Sequence, residues 1–190
     1  MSQNFEINAH ESTEPVSKYA IAIRYGFLLG FISMFLKTIS YLYLLNWSFL
    51  AFGIGRFFMI VTPLIFYVFV SIKTGKILGS NNNIKDVFQK VFIVILISLS
   101  ISSLYGLFYV KFIDTNCLVR EKSAMLDFFV QKKAPQEVID EQIKKIQDAI
   151  DIGPTISGFI YSHMQDIIKH SIFGFIIALI VSRKKPLAQQ

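Results

Sequence analysis

Residues 19–45 read YAIAIRYGFLLGFISMFLKTISYLYLL and residues 49–72 read FLAFGIGRFFMIVTPLIFYVFVSI, with only Asn46, Trp47 and Ser48 between them. Each run has the length needed to cross a bilayer core of about 30 Å as a helix, which takes about 20 predominantly apolar residues. Membrane-spanning strands are about ten residues long and alternate in polarity, and neither run alternates. The two runs therefore form a tight helical hairpin within a membrane. Trp47, with Tyr41 and Tyr43, belongs to an aromatic belt at the membrane–water interface. Pro63 interrupts the second run, where a membrane helix tolerates it and is expected to kink.

Further along, residues 87–113 and 155–181 form two more such runs. The fold class is accordingly all-α: a polytopic membrane protein of four transmembrane helices, with a two-helix extracytoplasmic loop between the third and fourth. Residues 1–18 form a polar tail, residues 19–182 the membrane domain including the loop at 114–154, and residues 183–190 a basic tail. The tail at 1–18 lacks a basic segment followed by an apolar core, so the first run is expected to remain as an anchor and not to be cleaved.

Composition agrees. The chain is 53% hydrophobic and 17% charged, against about 25% charged in soluble domains. Its net charge of +6 needs no nucleic acid. Lys73, Lys76, Lys85, Arg183, Lys184 and Lys185 flank the spans, where positive charge marks the cytoplasmic side. Both termini are expected inside and the long third loop outside, in a bacterial inner membrane. The lone Cys117 excludes an internal disulfide; it is either a free thiol near the membrane surface or a bridge between two chains.

In the third loop, Ile139, Ile143, Ile146 and Ile150 fall on one stripe at helical spacing after Pro135. Glu141 with Lys145, and Asp140 with Lys144, are acid-before-base pairs one turn apart, each worth about 0.3 kcal/mol. Gly153 and Pro154 end that helix. Before it, Leu118, Met125, Leu126, Phe129 and Val130 outline a second amphipathic helix. The two stripes pack on each other, lie on the membrane surface, or serve a docking partner.

Every span carries small residues four apart, among them Gly26 and Gly30, Ala51 and Gly55, Ser98 and Ser102, Gly174 and Ala178. Such spacing lets helices approach closely in lipid. Matching the depths of these pairs predicts that the first span packs on the fourth, and the second on the third.

The charges within the spans are the candidate functional residues. Between Glu14 and Asp86 there is no acidic residue, yet Arg24, Lys37 and Arg56 lie inside the first two runs. Intramembrane cations are costly, so they snorkel, find a carboxylate or meet an anionic ligand. Arg24 lies near the cytoplasmic end and can snorkel. Lys37, Arg56 and Asp166 each lie roughly 12 Å below the outer surface at 1.5 Å per residue. Asp166 is the only acid in any span, which makes it the default partner of Lys37 or Arg56. His163, Asp166 and His170 share one face of the fourth span. Three readings stand: a structural charge pair, a hydrated ion or proton path, and a metal site, which Lys169 opposes by repulsion.

Asn83, Ile84, Lys85, Asp86, Val87 and Phe88 start the third span, and Phe112, Ile113 and Asp114 end it. Glu137, Glu141 and Gln142 mark the helical loop; Phe173 with Gly174, then Lys184, Lys185 and Pro186, mark the close. In that order these features resemble a family of small four-span inner-membrane proteins from Bacteroidetes, domain of unknown function 4199. The resemblance implies a four-helix membrane fold and supplies no catalytic residue; the face of His163, Asp166 and His170 is not one of its hallmarks.

No nucleotide-binding glycine loop, nucleophile elbow or paired-histidine zinc motif occurs. The sequence therefore predicts a non-enzymatic structural or accessory membrane protein with no cofactor. Its expected associations are the lipid bilayer, a homo-oligomer, and a protein partner docking on the isoleucine stripe. A small oligomeric transporter or ion-permeation protein is the first alternative, and a lipid-modifying enzyme using His163 or His170 as base the second.

Overall fold

The protein is described by a computed structural model that covers residues 14–45, 48–78, 83–152 and 155–183. Its helices are α1 (Glu14–Ile39), α2 (Phe49–Leu78), α3 (Ile84–Phe108), α4 (Cys117–Gln131), α5 (Gln136–Ile152) and α6 (Ile156–Arg183). Four stretches are long and apolar enough to cross a membrane: Tyr19–Tyr43, Phe49–Leu78, Ile84–Ile113 and Ile156–Ser182. Trp47, Gly153, Pro154, Lys184 and Lys185 lie outside the described residues.

Local chemistry sets the helix limits. Asn83 caps α3, its side chain accepting the Lys85 N–H at 3.2 Å, and Asp86 in the first turn complements the helix dipole. Helix α2 runs without a break through the buried Pro63 and extends beyond Ile72 to Leu78. The added turns are stabilised by Lys73, whose ammonium reaches back to donate to the Tyr25 hydroxyl at 3.0 Å and lies 5.3 Å from that ring's centre. A long lysine can lie along an apolar surface in this way while keeping its charge at the interface.

Helix α3 is the axis of the bundle. It packs most extensively on α1 and then on α6, while α2 leans on α1, α3 and α6. The expectation that the first span packs on the fourth does not hold; the second does pack on the third, though no more than it packs on the first and fourth. Gly26 and Gly30 of α1 instead receive Ile97 and Ile101 of α3: a Cβ on Gly30 would stand 2.8 Å from Ile101 Cδ1 and 3.0 Å from its Cβ. Gly174 of α6 receives Ile95 and Val91 from the same helix. Small residues here seat β-branched side chains, so pairing like with like misassigned the neighbours.

Leu29, Tyr67, Val70, Val91, Val94 and Ile95 form the fully buried centre. The outer faces of the spans carry large exposed apolar groups such as Phe31, Phe35, Phe57 and Ile65, the surface expected of helices solvated by lipid.

At the α3–α4 end, α1 and α3 each finish in a π-helical turn, Ser40–Leu44 and Tyr109–Ile113. Leu45 N–H bonds the Ser40 carbonyl, and Asp114 N–H bonds that of Tyr109 at 2.9 Å. Each turn therefore spans one residue more than an α turn. They aim Tyr41 and Tyr109 at each other, with ring centres 5.5 Å apart and planes at 21°. Leu45, Phe52 and Cys117 complete this second core.

Helices α4 and α5 pack on each other and α4 touches α2, with Phe128 5.3 Å from Phe49. Ile139 is buried and Ile143 partly so; the side chains of Ile146 and Ile150 lie outside the description.

Gly30→Val is expected to cost about 1–3 kcal/mol through overpacking against a branched carbon that cannot move independently of its helix. Added Ile101→Ala should recover part of the loss. Gly53→Ala, whose Cβ would meet nothing within 4 Å, should leave the melting temperature in detergent unchanged; equal losses at Gly30 and Gly53 would remove the proposed seat.

Candidate functional site

The intramembrane cations do not share one carboxylate. Arg56 of α2 donates to Glu121 of α4 at 2.6 Å, reaches the Tyr41 hydroxyl at 3.5 Å and stacks its guanidinium 4.9 Å from the centre of Phe52. The expected bridge from Arg56 to Asp166 is therefore corrected: the acid that Arg56 needs comes from the loop. Glu121 falls on the stripe of α4 that includes Cys117, Ala124 and Phe128, spaced three and four residues apart. An acid interrupting an apolar helical stripe was the signal available for it.

Asp166 contacts Lys169, one turn along α6, at 3.6 Å, and both remain about half exposed, at 48% and 64%. Lys37 forms no ion pair among the described residues. Its ammonium sits over Gly106, 2.9 Å from where a Cβ would stand, and donates to the Ser102 carbonyl at 2.9 Å.

Histidines 163 and 170 are also separated. His163 bonds Ser103 of α3 at 3.1 Å and stacks parallel to Phe159. His170, two turns deeper, bonds the Tyr67 hydroxyl at 2.8 Å, and Tyr67 is fully buried between helices. A shared face thus resolves into two separate interhelical contacts with Asp166 between them. Among the described residues no three His, Cys, Asp or Glu side chains stand close enough to hold a metal.

What these residues do form is a cleft of about 230 Å³ between α1 and α6, floored by α3. Lys37 and Tyr41 line one wall, Ser162, His163 and Asp166 the other, and Ser103 and Gly106 the floor. Leu107, Val110, Leu118 and Phe159 supply its apolar surface, Leu118 reaching in from α4. It exists because α1 and α6 flank α3 with little direct packing between them. Ser162 carries no signal in the sequence, since a neutral hydroxyl marks no site, and Tyr41 reads there only as an interfacial aromatic, which the π-helical turn brings to the cleft.

The result is a four-span helical membrane protein with a cleft bearing opposite charges. It belongs to the family described as protein of unknown function DUF4199, whose pattern matches residues 24–183, from within the first span to the end of the fourth, and so includes both loop helices. Comparison with curated proteins and with solved structures gives no match.

Burial pushes the Glu121 carboxyl above its ordinary value, against the pull of Arg56. An acid whose folded-state value is raised binds protons more readily folded than unfolded, so stability rises as pH falls through the window just above 4.5 and is lost as pH rises. The melting temperature of wild type relative to Glu121→Gln should therefore climb on acidification through that window; a flat difference would contradict the burial. Arg56→Met and Glu121→Gln, made singly and together, should show a favourable coupling in melting temperature, and strict additivity would contradict the pair.

Cys117 is fully buried, and burial pushes its thiol up to about 11. Its thiolate population at neutral pH falls about a hundredfold below that of an ordinary thiol, one titrating at 9.0. It is not presented for a bridge between chains. Maleimide labelling in detergent should be slow until the protein unfolds; rapid labelling of folded protein would contradict this placement.

Proposed function

We propose that this chain is a non-enzymatic structural or accessory component of a bacterial inner membrane, with both termini cytoplasmic and the α4–α5 pair outside. The observation that carries the reading is where the polar side chains of the spans go. Lys37 ties α1 to α3, His163 ties α6 to α3, Tyr67 ties α2 to α6, and Arg56 ties α2 to the loop helix α4. Polar groups in hydrocarbon act as glue between helices when each is matched by a neighbour. A scaffold braced in this way holds α4 and α5 as a fixed platform.

Support for this orientation comes from Lys73, Lys76 and Lys85 about the α2–α3 connection and from Arg183 at the end of α6, with Lys184 and Lys185 next in the sequence. The platform's exposed Val119 and Val130, and not the inward-facing Ile139, are the apolar groups it offers to a partner. The opposite charges of the cleft favour a second reading, that of a small oligomeric permeation protein.

Proteoliposomes carrying the protein are expected to pass protons and small ions no faster than protein-free vesicles, with Asp166→Asn and His170→Ala making no difference. A photo-crosslinker at Val130 in native membranes should give a discrete protein adduct. Flux abolished by Asp166→Asn would sink the accessory reading in favour of permeation, and adducts with lipid alone would remove the partner.

A further inference from the structure

We infer that the cleft between α1 and α6 binds the headgroup of a phospholipid bearing a primary amine, its phosphate at Lys37 and Tyr41 and its ammonium at Asp166 and Ser162. Lys37 and Tyr41 keep hydrogen-bonding capacity beyond the bonds they make within the protein. A lysine ammonium has three N–H donors, and Lys37 uses one of them on the Ser102 carbonyl among the described residues. The Tyr41 hydroxyl receives the Arg56 guanidinium at 3.5 Å and keeps its own proton to donate. These groups make the Lys37 wall attractive to a phosphate.

The opposite wall selects among phosphates. Asp166 lines the same cleft, so a headgroup with negative charge alone would be drawn to Lys37 only to face a carboxylate in a poorly screened setting. A zwitterion removes that conflict. Asp166 has capacity for it, being 48% exposed and 3.6 Å from Lys169. A primary ammonium offers N–H donors to both the carboxylate and the Ser162 hydroxyl, whereas a quaternary ammonium offers none.

Size and setting favour a lipid as the source. The cleft of about 230 Å³ admits a headgroup but not acyl chains. Lys37 stands six residues inside the end of its span at Tyr43, or about 9 Å, so the site opens within the membrane layer. Phe173, seven residues beyond Asp166 and on the same face of α6, is 49% exposed and continues the path as an apolar surface for a chain.

The test uses delipidated full-length protein in mild detergent, with phosphatidylethanolamine, phosphatidylcholine, phosphatidylglycerol and free phosphoethanolamine as probes. Melting temperature and native mass spectrometry provide the readouts. Phosphatidylethanolamine at saturation should raise the melting temperature by about 5 °C and survive as a one-to-one adduct, with the other two lipids giving clearly less. Lys37→Met and Asp166→Asn should each weaken it about tenfold or more, while Lys37→Arg keeps the preference and shows that the fold tolerates change at that position. Gly106→Ala, which crowds the ammonium's seat, should weaken binding without removing a charge.

Equal responses to phosphatidylethanolamine and phosphatidylcholine would overturn the amine contact, and a stronger response to phosphatidylglycerol would overturn the role of Asp166. Saturation by free phosphoethanolamine where the lipid gives no response would overturn the membrane source.

Discussion

The close approach of α1 to α3, with Ile97 and Ile101 seated over Gly26 and Gly30, sets the spacing on which the remaining contacts depend. In lipid no burial from water drives helices together, so interhelical distance is governed by how deeply side chains interlock. With α1 held on one side of α3 and α6 on the other through Gly174, the two flanking helices are kept from closing on each other. The cleft is the space that remains, and Lys37, Tyr41, His163 and Asp166 border it because their helices are held apart.

Charge is distributed according to the same geometry. Arg56, near the end of α2, is matched from outside the spans by Glu121, which fixes α4 over the end of the bundle and brings Leu118 to the edge of the cleft. Lys37, at a similar depth, donates instead to a backbone carbonyl. The difference is one of reach: α4 covers the α2 end, whereas the α3 floor under Lys37 presents carbonyls and Gly106 but no carboxylate.

Much of the fold was legible because it is written in hydropathy. The four spans, the short first connection and the amphipathic loop helices each carry a length or period that physics makes distinctive. Helix partners were not legible, because Gly26 and Gly30 announce a close approach without naming what approaches. His163, Asp166 and His170 share a face of α6 by helical spacing, yet a common face does not imply a common site: Ser103 and Tyr67 hold the two imidazoles apart. Arg56 was not legible as a partner of Glu121, because that acid belongs to α4 and not to any span. Depth counted from a membrane surface cannot see Glu121, which folds down from above.

The paired π-helical turns at Ser40–Leu44 and Tyr109–Ile113 carry a mechanical consequence. Each holds one residue in excess of the α register, and restoring that register would rotate everything beyond it by about 100° around the helix axis. Tyr41 and Tyr109 therefore face each other only in the π register, and an α turn at either place would swing its ring out of the stack. The second core at that end is thus keyed to one extra residue in each of two helices.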